Sequence, residues 1–263
     1  MASVRRGALA AALLGACWLS AAQAEPSKSR AQSSGTPEPA VTAAQGAPVG
    51  LGADGSGALE VPGFLPAVVS FPRGASWPQP TLVAAHGAGE TPEMHCALWR
   101  SIVGERGVIV CPRGQPMKQG RDEGFFYPTH FKLEREVLAT LKALRERYPQ
   151  HADTAPATYA GFSQGANMGA LMLVEHGGEL PRIFLLEGGS GDMNPARSRR
   201  FKKTGGKAAA IVCGRPKCAS QARRNAEHMR KLGLQGDAYY VEGAGHSNFD
   251  MMFPTLQKAW QRL

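Results

Sequence analysis

The feature that most constrains this chain is a Gly-x-Ser-x-Gly pattern at residues 161–165, where the sequence is Gly-Phe-Ser-Gln-Gly. An apolar run, residues 157–162, leads into the pattern, and a run compatible with a helix, residues 166–176, follows it. This arrangement is typical of a sharp strand-to-helix turn that holds the serine hydroxyl above the sheet. Glycines suit such a turn because side chains there would collide with the neighbouring strand and helix. The pattern predicts a nucleophilic Ser163, with an ordinary Ser-Gly turn as the alternative.

Strands and helices are predicted to alternate along most of the chain. Short apolar runs predict strands at residues 67–71, 80–85, 108–111, 157–162, 182–186, 208–213 and 238–241. Helical spacing of apolar residues predicts helices at residues 90–105, 131–148, 166–176 and 219–232, and a last helix that ends at Leu263. Such alternation predicts a mostly parallel, doubly wound sheet flanked by helices. We therefore expect one α/β domain over residues 61–263.

The amino terminus has the composition of a targeting segment. Arg5 and Arg6 precede an apolar run, and residues 22–24 read Ala-Gln-Ala, which resembles a cleavage site. The run is too short to span a membrane and predicts a signal peptide at residues 1–24. In the alternative reading Cys17 carries a lipid, because residues 14–17 read Leu-Gly-Ala-Cys. Both readings predict export as a periplasmic or secreted protein, and membrane attachment only if Cys17 is lipidated.

Residues 25–60 are rich in Ala, Gly, Pro and Ser and lack periodic apolar residues. Such a segment buries too little apolar surface to offset its chain entropy. We expect a disordered linker there.

Four cysteines remain once the targeting segment is removed. In an oxidising compartment, their layout favours the disulfides Cys213–Cys218 and Cys96–Cys111. Zinc is the rival interpretation for Cys213 and Cys218, but no second pair of ligands at His spacing follows them. We expect disulfides and no metal.

The formal net charge is +9, and the densest basic run is residues 197–207. No aromatic residues are interleaved in the manner of a nucleic-acid site. The run predicts a solvated helix face, and no nucleic-acid partner is expected.

A serine nucleophile needs a base, and His246 is the best-placed candidate. It follows the last predicted strand and precedes the last helix, and residues 243–245 read Gly-Ala-Gly, which allows a close approach to the sheet. A surface histidine at a helix start is the alternative. The other histidines without such placement are expected to be surface or packing residues: His95, His130, His151, His176 and His228.

Acyl transfer also needs donors to the oxyanion of the tetrahedral intermediate. The backbone N–H of Gln164 is one candidate, because it follows the nucleophile and begins a helix. Ala88 is the other, in the loop His-Gly-Ala-Gly at residues 86–89, directly after an internal strand. A plain glycine turn is the alternative for that loop.

Together these motifs resemble the small α/β-hydrolases of the carboxylesterase, phospholipase and acyl-protein thioesterase type. The resemblance rests on Gly-Phe-Ser-Gln-Gly-Ala before an apolar helix, His-Gly after an internal strand, and Gly-His before the last helix. It extends over about residues 61–263. It implies a cofactor-free ester or thioester hydrolase that works through an acyl-enzyme at Ser163.

The chain departs from that family at the third member of the triad. The acid usually follows the penultimate strand, but residues 214–218 read Gly-Arg-Pro-Lys-Cys and contain no carboxylate. The loop after the preceding strand offers Asp192, which we favour for its longer reach, and Glu187, which could instead be a buried structural carboxylate. Glu242 and Asp250 are weaker candidates.

The loop at residues 112–130 is expected at the carboxyl ends of the strands, where open α/β sheets bind ligands. Its Phe125, Phe126 and Tyr127 either line an acyl or aryl pocket or anchor the loop to the domain. Without a large cap insertion the site should be open and should accept a small or polymeric ester. The alternatives to an esterase are a serine peptidase on the same fold and a catalytically inactive binding or envelope protein.

Overall fold

The central sheet has eight strands in the order β1-β2-β4-β3-β7-β8-β9-β10. Its strands are β1 Ser56–Leu59, β2 Ala67–Ser70, β3 Thr81–Ala85, β4 Val108–Cys111, β7 Thr158–Phe162, β8 Arg182–Leu186, β9 Ala208–Cys213 and β10 Gln235–Tyr240. Strand β2 runs antiparallel to both of its neighbours. The other six strands of this sheet, β4, β3, β7, β8, β9 and β10, are parallel to one another. This computed structural model describes residues 48, 50–117 and 124–263. It confirms the predicted doubly wound α/β architecture.

Helices cover both faces of the sheet. They are α1 Pro92–Val103, α2 His130–Arg147, α3 Gln164–Met172, α4 Pro195–Lys203, α5 Pro216–Lys231 and α6 Phe249–Arg262. The apolar core on one side takes buried residues from α1 and α6, and the core on the other side takes them from α2 to α5. Strands β3, β4 and β9 are buried along their whole length. This is why their sequences are continuous apolar runs rather than alternating ones.

Strand register sets where the loops emerge. Gly161 of β7 pairs with Ala85 of β3 on one side and with Leu185 of β8 on the other. The residues that follow these three strands therefore leave the sheet at the same edge. Polar side chains that act together are expected at this edge, because the carboxyl ends of parallel strands meet there.

The structure extends the domain at its amino-terminal side. Ser56–Leu59 lies in the predicted linker but forms β1, which pairs with β2 over four residues. The strand escaped prediction because its sequence, Ser-Gly-Ala-Leu, has only one large apolar residue. The predicted signal peptide, Cys17 and the first part of the linker lie outside the described residues. Within the described residues, none of the helices has the length and apolar character needed to cross a membrane.

A second, two-stranded sheet was also not predicted. Strand β5 Gln115–Pro116 pairs antiparallel with β6 Phe125–Phe126. An antiparallel bridge between Glu90 and Phe125 attaches this hairpin to the loop that follows β3. The hairpin therefore lies against the edge of the sheet where the loops converge.

The described residues form two disulfides. Cys96–Cys111 joins α1 to the end of β4, and Cys213–Cys218 joins the end of β9 to the first turn of α5. These are the pairings that the sequence predicts. Because both sulfurs of the second pair are bonded to each other, they are not available as thiolate ligands for zinc.

Candidate active site

Ser163 lies in the strained turn that its motif predicts. It follows β7, begins α3 and has a φ of 48°, and Glu187 is the other non-glycine residue with positive φ within the described part of the chain. A Cβ on Gly161 would lie 2.6 Å from the carbonyl carbon of Gly165, and one on Gly165 would lie 2.5 Å from the carbonyl oxygen of Ala85. Both glycines are therefore required by close backbone approach. Backbone strain of the kind seen at Ser163 is typical of functional turns.

His246 reaches the serine from the loop between β10 and α6. Its Nε2 lies 2.9 Å from Ser163 Oγ, and its ring packs 5.1 Å from the ring of Phe162. The imidazole side chain is 39% exposed. With the proton on Nδ1, Nε2 is free to accept the serine proton, as a general base must.

The carboxylate that reaches His246 is Glu187, so the structure does not support our preference for Asp192. Glu187 Oε2 lies 3.1 Å from His246 Nδ1, and the glutamate side chain has no solvent exposure. Asp192 instead lies in the turn before α4, where its carboxylate is 3.9 Å from Arg197. In the described part of the chain neither Asp192, Glu242 nor Asp250 has a hydrogen bond to His246.

Asp192 was favoured because its longer loop gave it more reach. Reach is not needed, because the backbones that carry Glu187 and His246 lie close together. Phe162 and Leu186 are register partners, so Ser163 and Glu187 leave adjacent strands at the same height. A Cβ on Gly214 would lie 2.2 Å from the carbonyl oxygen of Gly245, so the loop that carries His246 packs directly against the end of β9. The acid therefore needs no long loop.

Four donors surround the Glu187 carboxylate. Oε1 accepts hydrogen bonds from the backbone N–H groups of Gly214 and Arg215, the latter at 3.0 Å. Oε2 accepts from Arg215 Nε at 2.5 Å as well as from His246 Nδ1. A buried carboxylate needs such donors and an opposite charge in place of water. The loop that usually supplies the acid thus supplies the groups that hold it.

The predicted oxyanion donors are free to act. Within the described residues, the N–H groups of Ala88 and Gln164 donate to no protein acceptor. The loop of Ala88 is fastened to the start of α3, because the N–H of Gly165 donates to the carbonyl of His86 at 3.2 Å. An oxyanion hole requires unpaired N–H groups such as these.

Glu90, whose side chain is 20% exposed, also holds that loop in place. Glu90 Oε2 accepts from the N–H of Gly87 and from His95 Nε2, both at 2.7 Å. Burial acts to raise the pKa of Glu90, but the hydrogen bonds from His95 and Gly87 outweigh it, and the pKa lies below its usual value. Glu90 therefore remains ionised and holds the loop at neutral pH.

His86 is buried beneath the same loop. Its ring nitrogens lie 2.7 Å from the carbonyl oxygen of Gly87 and 2.9 Å from that of Arg113. Burial lowers the pKa of His86. The two carbonyl contacts act in the opposite direction, because they favour the charged ring, but burial outweighs them.

The three predicted pocket residues separate into two groups. Phe125 and Phe126 are partly exposed on the hairpin, next to the loop of Ala88, and the guanidinium of Arg113 lies over the Phe125 ring at 5.1 Å. Tyr127 is an anchor: it is 1% exposed, and its hydroxyl donates to the carbonyl of Pro112 at 2.9 Å. Burial raises the pKa of Tyr127 well above its usual value.

The remaining histidines are packing or surface residues, as expected. His95 is fully buried against Glu90, and His176 forms ion pairs with Glu134 and Glu179. Burial acts to lower the pKa of His176, but the hydrogen bonds to the two glutamates outweigh it and raise the pKa.

Sequence reasoning missed Arg215 and Glu90. The signal for Arg215 was a cation at the position where the family pattern places the acid. The signal for Glu90 was a carboxylate directly after the His-Gly-Ala-Gly loop, at residues 86–89.

No protein-family model matches the chain, and no curated protein matches it. Solved structures do match. TT1662 from Thermus thermophilus is 17% identical with a TM-score of 0.57, over 79% of this chain and 96% of that one. Est1E from Butyrivibrio proteoclasticus is 13% identical with a TM-score of 0.56, over 79% and 98% of the two chains.

A third neighbour is described as a putative dienelactone hydrolase from Klebsiella pneumoniae. It is 18% identical with a TM-score of 0.53, over 79% of this chain and 95% of that one. Identities this low carry information on the fold alone. Together with the sheet order and the strand-to-helix turn at Ser163, they show that this chain has the α/β-hydrolase fold.

Proposed function

We propose that the protein is a serine esterase that cleaves carboxylic esters through an acyl-enzyme at Ser163. The observation that carries the proposal is the continuous chain of hydrogen-bond contacts from Ser163 through His246 to Glu187. Nucleophile, base and acid in this relation form the triad of serine hydrolases. A further structural neighbour is described as esterase PE8, 17% identical with a TM-score of 0.54 over 76% of this chain and 99% of that one, and its description is in keeping with this choice.

In the first half-reaction Ser163 Oγ attacks the ester carbonyl while its proton moves to His246 Nε2. The Glu187 carboxylate stabilises the imidazolium, and the N–H groups of Ala88 and Gln164 bind the oxyanion. The imidazolium then returns the proton to the leaving alcohol. In the second half-reaction water attacks the acyl-enzyme by the same route and releases the carboxylic acid.

The missing carboxylate at residues 214–218 was the reason to consider a catalytically inactive protein. Glu187 removes that reason, because a buried acid is supplied from the preceding loop. Partly exposed Phe125 and Phe126 offer an apolar surface for an acyl or aryl group. Export is part of the proposal and is supported by the two disulfides and the amino-terminal sequence.

The test is hydrolysis of p-nitrophenyl acetate and p-nitrophenyl decanoate by the purified protein, with Ser163→Ala beside it. We expect wild-type turnover and a loss of at least about 10³-fold in the variant. A fluorophosphonate should label the wild type and fail to label Ser163→Ala. Absence of both hydrolysis and labelling in the wild type would refute the proposal.

A further inference from the structure

The net positive charge of this protein comes from one segment. Twelve of the chain's 30 Lys and Arg residues, but one of its 21 acidic residues, lie between positions 197 and 231. That segment therefore carries a net charge of +11, and the other 228 residues together carry −2. A net charge with no local concentration would point only to solubility, whereas this distribution points to a partner.

Ten of these twelve cations lie on helices α4 and α5. Helices α4 and α5 contact each other on the same side of the sheet, and Lys202 Nζ donates to the carbonyl of Leu232 just after α5. We call their solvent side the basic face. Four of its exposed cations form neither an ion pair nor a side-chain hydrogen bond within the described residues: Arg199, Lys203, Lys217 and Arg223.

The charged side chains of the basic face are cations apart from Glu227, which pairs with Lys231. The exposed large apolar residues of the described chain all lie elsewhere: Leu65, Met94, Met117, Phe131, Tyr240 and Met251. A face that inserts into lipid would need such side chains, and one that binds single-stranded nucleic acid would need aromatic rings for stacking. A flexible polyanion needs only the cations.

The basic face is continuous with the candidate active site. A cavity of about 420 Å³ is lined by Arg215 and Lys217 at the start of α5, and also by Glu187, the triad carboxylate. Asp192, which also lines it, is neutralised in part by Arg197. A chain lying along the basic face would thus reach the edge of the site that holds Ser163.

We infer that the basic face binds a polyanionic polymer that carries the ester cleaved at Ser163. The inference rests on the proposed esterase function and specifies its substrate class. The basic face would concentrate the polymer at the site, so its effect should appear in kcat/KM at low salt.

The test compares one scissile 4-methylumbelliferyl ester on two carriers, poly-L-glutamate and neutral poly(hydroxyethyl-L-glutamine). At about 20 mM NaCl we expect kcat/KM to be at least about tenfold higher on the anionic carrier. The preference should disappear at about 500 mM NaCl, where the Debye length is about 4 Å.

The variant Arg199→Gln/Lys203→Gln/Arg223→Gln should lose most of that preference and keep its kcat/KM on p-nitrophenyl acetate. A matched control removes three exposed cations elsewhere, with Arg106→Gln/Arg135→Gln/Lys258→Gln. The control should keep the preference.

Equal kcat/KM on both carriers, with p-nitrophenyl acetate still cleaved, would overturn the polyanion inference alone. The inference would also be overturned if the protein bound phosphatidylglycerol vesicles, lost that binding in the basic-face variant and cleaved both carriers equally well. That result would indicate a membrane partner. No cleavage of p-nitrophenyl acetate at all would instead refute the esterase function.

Discussion

Replacing Glu187 with Gln isolates the role of the buried acid. The amide has nearly the shape of the carboxylate, so packing is retained, but one of its two oxygens becomes an NH₂ group. Four donors converge on this side chain, from Gly214, Arg215 and His246. If the two backbone N–H groups of Gly214 and Arg215 keep the amide oxygen, the amide nitrogen faces Arg215 Nε and His246 Nδ1, donor against donor.

The imidazole relieves this conflict by changing tautomer. If Nδ1 gives up its proton it can accept from the amide, and the proton moves to Nε2, which lies 2.9 Å from Ser163 Oγ. Nε2 can then no longer act as a base. In the trypsin-like triad, the wrong tautomer and the lost charge together lower kcat by about 10⁴-fold. We therefore expect Glu187→Gln to lower kcat by about 10³- to 10⁴-fold. This corresponds to a rise of about 4–5.5 kcal/mol in the activation free energy.

The assay is steady-state hydrolysis of p-nitrophenyl acetate, with Asp192→Asn as the matched control. Both changes convert one carboxylate of the same loop to an amide, but we expect Asp192→Asn to remain within about twofold of wild type, because Asp192 does not touch the triad. KM should change little in either variant. Circular dichroism should verify that each is folded.

The reasoning would be refuted if Glu187→Gln, correctly folded, kept kcat within about tenfold of wild type. A large loss in Asp192→Asn instead would mean that the loop rearranges to bring Asp192 to His246.

Three further expectations test other parts of the molecule. Gly165→Ala should lower the free energy of unfolding in urea by about 1–3 kcal/mol, because its Cβ would lie 2.5 Å from a backbone oxygen. The control Gly178→Ala, whose Cβ would lie 3.5 Å from a backbone oxygen, should change it by under about 1 kcal/mol. Equal effects would contradict the close approach. Tyr127→Phe should lower stability by about 1 kcal/mol with KM unchanged, while Phe126→Ala should raise KM for aryl esters; a KM effect in the tyrosine variant alone would reverse these roles. The two glutamates raise the pKa of His176 in the folded protein. Their interaction with the charged ring therefore stabilises the fold below pH 6.5, the pKa of the unfolded state, and this stabilisation is lost as pH rises through the folded-state pKa. His176→Asn should therefore lower Tm at about pH 5.5 and leave it nearly unchanged at about pH 9, and the opposite trend would contradict the sign.

Sequence reasoning succeeded where one residue type and its neighbours determine the geometry. The glycines around Ser163 and the small residues before His246 reveal backbones in close contact, and the structure brings the two side chains together. It failed on the acid, because loop length was used as a measure of reach. The acid is determined by the register of β7 with β8 and by the close approach of Gly214 to the loop of His246. Neither the register nor this contact can be read from the sequence before the strands are paired.

The same limitation applies to the short elements. Strand β1 and the β5–β6 hairpin contain too few apolar residues to give a periodic signal, and they exist because neighbouring backbone offers hydrogen-bond partners. Tyr127 was equally ambiguous, since an aromatic side chain in a loop can line a pocket or anchor the loop. Burial decides that question, and burial is a property of the assembled fold.

The Cys213–Cys218 disulfide closes the short loop whose N–H groups and guanidinium hold Glu187. Its sulfurs and a carboxylate oxygen of Glu187 lie within 4.8 Å of one another. In protein purified from the reducing cytoplasm of an expression host, the acid would therefore be less constrained. The specific activity of such protein should rise on air oxidation, so the redox history of a preparation must be controlled before rates from different batches are compared.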